Sequence, residues 1–218
     1  MELLAIRTAR FVGVISTEEL NPRGLLVYPS LIDGLVDRYD FDVYPGEEDP
    51  LDESKGIVFE DGAWNGISIA KVSIFGGFIG VETRSSTKDS EAIFNEALEW
   101  ASESFGLTYK PAMVSKRAYL SEIIFRSEKN LNSLNPAFQS FGAKLSKALK
   151  THTGVTTDYE LGGIVFGYDT SMVKNSYSPF RIERLEGSEF YENKYYSGSP
   201  LPTEEHVEFL EDFEKLLT

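Results

Sequence analysis

Between Ile67 and Arg84 the chain reads as extended, and the pattern breaks only at Gly76-Gly77. Ile67, Ile69, Lys71, Ser73 and Phe75 fall on one side, Ala70, Val72 and Ile74 on the other. A period of two is the mark of a pleated strand, and a glycine pair in its middle is the mark of a tight reversal. The pattern predicts two strands, the second over 78–83, joined as an antiparallel hairpin. Any fold for this chain must therefore include sheet whose faces need covering.

The cover is written in the same sequence at a different period. Pro29-Ser30 opens a stretch in which Leu31, Leu35 and Tyr39 line one side of a helix. Asp89 to Phe105 carries Ile93, Phe94, Ala97, Leu98 and Ala101 as a stripe, and Gly106 stops it. Asn135-Pro136 has the cap-plus-proline form of a helix start, followed by Phe138, Phe141, Leu145 and Leu149 at core spacing. Pro202-Thr203 begins a last helix with Val207, Leu210, Phe213 and Leu217 facing inward and Glu204, Glu208, Glu211 and Asp212 facing water. Further strands are expected at 11–15, near Phe41 and Val43, at 56–59 before the Asp61-Gly62 turn, at 118–126, within 156–168, at 180–185 and at 190–196. The expected fold class is α+β, a predominantly antiparallel sheet backed by amphipathic helices.

Both halves of the chain can be written as strand, helix, several strands, helix. The expected division is 1–108 and 109–218, each an α+β half, with one continuous domain as the alternative. That order of elements resembles the half-domain of the TATA-binding-protein fold, in which two halves join into one sheet backed by helices. The resemblance is one of topology and brings no family motif. It implies nothing about DNA binding, because that family presents a basic sheet and this chain is acidic.

Charge narrows the partners. The 218 residues hold 35 acids and 21 bases, a net of −14, which repels phosphate backbones and anionic membranes at long range. The excess is uneven: residues 101–150 hold 3 acids and 8 bases, whereas 1–100 hold 19 and 8, and 151–218 hold 13 and 5. A basic centre between acidic flanks suits a protein partner or self-association, with homo-oligomers a consequence; nucleic acid is not expected. No apolar run is long enough for a membrane span or a secretory signal core, so no membrane partner is expected. The absence of cysteine removes disulfides, thiolate nucleophiles and cysteine-ligated metals, and suits a cytoplasmic protein.

No segment carries a recognisable chemistry. Gly76-Gly77-Phe78-Ile79-Gly80 lacks the lysine–hydroxyl pair of a phosphate loop and reads as a hairpin turn, and Leu161-Gly162-Gly163-Ile164 reads as a strand bend. His152 and His206 have no ligand spacing between them and are both expected at the surface. Glu47, Glu48, Asp49, Asp52 and Glu53 crowd into one loop and are expected to be solvated. No catalytic residue, metal ligand or cofactor is expected. The interaction candidates are Lys144, Lys147 and Lys150, which recur every third residue on the third helix, and the aromatic–charged region that follows Tyr177. In that region Arg181 and Arg184 are charged anchors, and Tyr191, Tyr195 and Tyr196 packing anchors. The reading is a non-enzymatic protein-binding or assembly module using charge-asymmetric and aromatic surfaces. Its alternatives are an enzyme acting on a small molecule or carbohydrate with a carboxylate or histidine base, and an acidic nucleic-acid mimic.

Overall fold

A computed structural model describes residues 1–24, 28–46, 56–169, 171 and 177–217. The acidic segment from Glu47 to Glu53 lies outside them. In chain order the elements are β1 (Glu2–Val14), α1 (Thr17–Leu20), α2 (Tyr28–Tyr39), β2 (Ile57–Trp64), β3 (Ile67–Phe75), β4 (Phe78–Thr83) and α3 (Thr87–Phe105). Then follow β5 (Lys116–Arg126), α4 (Pro136–Thr153), β6 (Gly163–Phe166), β7 (Phe180–Arg184), β8 (Lys194–Ser199) and α5 (Thr203–Leu216). The protein is mixed α+β, and among the described residues eight strands form one sheet in the order β2-β3-β4-β1-β5-β8-β7-β6. Among the described residues no helix is long and apolar enough to cross a membrane.

The chain divides into two compact units. The first comprises Ile6–Ser121 with Pro200–Glu204, and the second Met1–Ala5, Glu122–Ser199 and Glu205–Thr218.

In the first unit the glycine pair does form the hairpin: Phe75 pairs with Phe78, and Ile74 with Ile79, antiparallel. Alternate residues of β1 and β2, among them Ala9, Phe11, Ile57 and Phe59, are buried, and two helices cover that face. From α2 come Leu31, Ile32, Leu35 and Tyr39; from α3 come Ile93, Phe94, Leu98 and Ala101. Each large side chain so buried contributes about 1.5–3 kcal/mol. Gly13 on β1 lets α3 approach, since a Cβ there would lie 2.4 Å from the ring of Phe94. The α2–α3 seam is closed by charge as well: the Glu96 carboxylate accepts from the Arg38 guanidinium and the Tyr39 hydroxyl. Burial, and then that carboxylate, hold the Tyr39 phenol well above its usual pKa. Ser86 caps α3 by accepting from the Asp89 amide at 3.0 Å. The strand expected near Phe41 and Val43 is a single bridge, Val43 to Glu60.

In the second unit Ile123, Phe125, Leu131, Ile182, Tyr195, Leu210, Phe213 and Leu217 are buried. Leu210 and Phe213 of α5, with Leu217 just past its last turn, point inward as their spacing predicts, and Val207 is half-buried. Strands β6, β7 and β8 pair antiparallel, with Ile182 opposite both Ile164 and Ser197. Extended pairing is shorter than the apolar pattern suggests: of 156–168 only Gly163–Phe166 is strand. Phe190–Glu192 is a 3-10 turn, after which Asn193, at φ 49°, turns the chain into β8. The one helix that departs from the expected cover is α4.

Candidate interaction surface

Local signals fix where α4 begins and ends. Asn135 accepts from the Ala137 amide at 2.8 Å, Pro136 takes the first helical position, and Gly154, at φ 73°, ends the helix. What its local pattern misstates is which face is covered. Phe138, Phe141 and Leu145 are 43%, 61% and 39% exposed, and only Gly142 of the whole helix is buried. Of the stripe predicted to face the core, Phe138, Phe141 and Leu145 therefore lie open to water, while Leu149 is half-buried. The physical reason is the contact the helix does make. Gly142 lies against the Tyr159 carbonyl, where a Cβ would stand 2.2 Å from the oxygen, and Ser146 Oγ accepts from the Tyr159 amide at 2.8 Å. The irregular segment 155–161 thus seats, through Tyr159, on the small residues Gly142 and Ser146. The large apolar residues are left beside that seat.

Lys144, Lys147 and Lys150 are exposed on the same helix. Among the described residues no carboxylate pairs with any of the three. From Lys129 to Thr157 the sequence contains no acid, so this apolar stripe carries a uniformly positive flank on a strongly negative protein.

The aromatic–charged region separates into internal struts and outward groups. Arg184 is an internal strut. Its guanidinium donates to Leu161 O at 3.2 Å, Phe190 O at 2.8 Å, Asn130 Oδ1 at 2.8 Å and Glu160 Oε2 at 2.8 Å, and it stacks 4.2 Å over the Phe190 ring. Tyr195 is buried, and its hydroxyl accepts from the Leu131 amide at 3.2 Å; burial raises its pKa. Arg181 donates to the Tyr196 hydroxyl at 3.0 Å, and that hydroxyl donates to Glu122. Burial, then Glu122, raises the Tyr196 pKa. Tyr191 faces water, 76% exposed. Of the eight interaction candidates, Tyr191 and the three lysines are the fully outward ones, while Arg181 and Tyr196 are half-buried and internally bonded.

Two further features have no clear sequence signal. The first is an aromatic row on the α5 side of the sheet: Phe180 lies 6.2 Å from Phe166 and 6.3 Å from Phe209. Phe166 and Phe209 are 58% and 56% exposed. Around Phe209 the outer face of α5 carries exposed Glu204, Glu205, Glu208, Glu211 and Asp212, with exposed Leu216 near its end. The second is a buried pair. His206, expected at the surface, is fully buried, with Nε2 2.8 Å from Ser197 Oγ. Ser197 donates its proton to Arg181 O at 2.7 Å, so Nε2 must be the donating nitrogen of the ring. The His206 Nδ1 atom is buried without a partner, and desolvation lowers the pKa to about 4. A serine whose proton is held by a carbonyl and whose oxygen accepts from the imidazole is not set up as a nucleophile. His152 is exposed, as expected.

Between α2, α3 and the sheet the first unit has a partly open apolar hollow of about 80 Å³, lined by Leu31, Leu35, Val72, Phe94 and Leu98 among others. Small-molecule sites run to roughly 300–1,000 Å³, so this volume is a packing gap rather than a substrate pocket. Among the described residues no three acidic or histidine side chains gather as metal ligands would. No family model matches the chain, and no curated protein is detectably similar to it in sequence.

Proposed function

We propose that the chain is a non-enzymatic protein-binding or assembly module and that α4 carries its docking surface. The observation behind this reading is the exposed stripe Phe138, Phe141 and Leu145 beside Lys144, Lys147 and Lys150. A folded protein rarely leaves such a face wet, because each aromatic side chain withheld from water is worth about 1.5–3 kcal/mol. The charge beside the stripe favours an acidic protein surface as the partner. Tyr191 and Arg181 are secondary contacts in this reading; Arg184 and Tyr195 act by holding the unit in shape. A cysteine-free composition suits a cytoplasmic setting for such a module.

The finer reading of the fold is a duplication. The order β1-α2-β2-β3-β4-α3 recurs as β5-α4-β6-β7-β8-α5. Within the sheet the strands follow β2-β3-β4-β1 in one half, and their counterparts β6-β7-β8-β5 follow the same sequence in the other. This supports a TATA-binding-protein-like topology built from two similar halves, without DNA binding as its use.

The test is the size of the protein by light scattering at low and high salt, alongside a pull-down from cell extract with wild type and a Phe138→Asp/Phe141→Asp variant. The expected result is a salt-sensitive complex that the variant loses. A strictly monomeric protein that retains no macromolecular partner would remove the reading.

A further inference from the structure

The first unit shows what the partner position of α4 looks like when filled. Beside α3 the sheet carries α2, with Leu31, Leu35 and Tyr39 buried and Arg38 reaching across to Glu96 of α3. In the second unit α5 stands in the chain position of α3, and α4 in that of α2. Yet beside α5 the sheet carries an open aromatic row, Phe166–Phe180–Phe209, and an acidic helix face. The helix that would match it is held elsewhere, with Gly142 and Ser146 fixed against Tyr159. One molecule thus presents both an uncovered apolar, basic helix and an uncovered aromatic, acidic seat.

We infer that α4 of a second copy fills this seat, and that the exchange is reciprocal, giving a two-fold dimer. The inference rests on the protein-binding reading above and names its partner. A two-fold contact uses each pair of surfaces twice, so one helix and one seat per copy suffice to close the assembly. Charge is complementary throughout: Lys144, Lys147 and Lys150 face Glu204, Glu205, Glu208 and Glu211 of the other copy, as Arg38 faces Glu96 in the first unit. Phe138, Phe141, Leu145, Phe166 and Phe209 still expose roughly 500 Å² per copy at typical side-chain areas, or about 1,000 Å² of apolar surface in the pair. That reaches the lower bound for a specific interface before any polar rim is added.

The experiment is sedimentation equilibrium of the full chain at about 50 mM and about 500 mM salt, joined to photo-crosslinking from position 141 in a mixture of heavy- and light-isotope chains. A micromolar dimer is expected, weakened at high salt. Phe141→Asp and Phe209→Asp should each raise the dissociation constant at least about tenfold with the circular dichroism unchanged, since both side chains are already exposed. Lys144→Glu/Lys147→Glu should weaken the dimer, and adding Glu204→Lys/Glu208→Lys should restore it. The crosslink should join heavy to light chains and map near Phe166, Phe180 or Phe209. A monomer up to about 100 µM, a dimer indifferent to both aspartates, or a crosslink within one chain would overturn the inference. Repeated in cell extract, a crosslink to a different protein would overturn self-pairing and leave the protein-binding reading standing. No crosslink to any protein would remove both.

Discussion

Buried His206 makes stability depend on pH in a way that can be calculated in advance. An unfolded chain binds a proton at this ring near the ordinary 6.5, whereas desolvation holds the folded ring neutral down to about 4. Because the folded pKa is the lower one, the unfolded state takes up the proton first as pH falls. Stability is thus fully present above about 6.5, declines through the interval between the two pKa values, and levels off below about 4. The whole interval is worth roughly 3 kcal/mol, of which roughly 2 kcal/mol is lost by about pH 5. Protonation also has nothing to offer the folded ring, since Ser197 Oγ already accepts from Nε2 and Nδ1 faces no acceptor. The many carboxylates of this acidic chain titrate too, so a control is needed. His206→Gln keeps an amide donor toward Ser197 and has no charge to gain. Urea denaturation of both proteins at about pH 7.5, 6 and 5 isolates the histidine as the change in the difference between them. Wild type should lose roughly 2 kcal/mol more than the variant by about pH 5. A difference that stays constant across that range would refute the claim that the ring is buried and neutral. A ring-proton titration by NMR with a midpoint near 6.5 would refute it independently.

Gly142→Ala places a methyl group against the Tyr159 carbonyl, so strain of about 1–3 kcal/mol should outweigh the gain in helix propensity of up to about 1 kcal/mol. Hydrogen exchange should rise across α4 and 155–161 and nowhere in the first unit; unchanged exchange would show that the close contact is dispensable. Arg184→Lys should cost about 3 kcal/mol in chemical denaturation although charge is kept, because an ammonium cannot serve four acceptors held in a planar fork. Glu96→Gln should cost about 1–2 kcal/mol and pull the Tyr39 phenol back toward its ordinary pKa, read by ultraviolet titration at alkaline pH. An unmoved phenol would show that burial alone sets it.

The parts of the fold that were legible in sequence are those decided by near neighbours in the chain. The β3–β4 hairpin is given by alternation and two glycines, the ends of α4 by Asn135, Pro136 and Gly154, and the inward face of α5 by Leu210 and Phe213. The parts that were not legible depend on distant contacts. His206 sits among glutamates in sequence, and only the hydroxyl of Ser197 and the ring of Phe180, 5.5 Å away, reveal a buried site. Arg184 resembles a surface anchor until Leu161, Phe190, Asn130 and Glu160 are seen to converge on it. Of the candidate surface, the lysines of α4 were visible as a pattern. The Phe166–Phe180–Phe209 row was not, because its members come from three elements.

The comparison of α2 with α4 shows how far an apolar period can be trusted. Both helices carry large apolar side chains at helical spacing; Leu31, Leu35 and Tyr39 are buried, whereas Phe138, Phe141 and Leu145 are exposed. Local sequence sets the amphipathicity in each case, but amphipathicity states only that one face prefers to leave water, not what it leaves water for. In α2 the demand is met by β-strand side chains and by the Arg38–Glu96 pair. In α4 the small residues Gly142 and Ser146 have taken the contact with the chain's own backbone, and the large ones still face solvent. Two helices with the same kind of pattern can thus differ because one finds its partner within the fold. The other retains an apolar face and three lysines that no carboxylate pairs among the described residues, which is the physical basis for expecting its partner in another molecule.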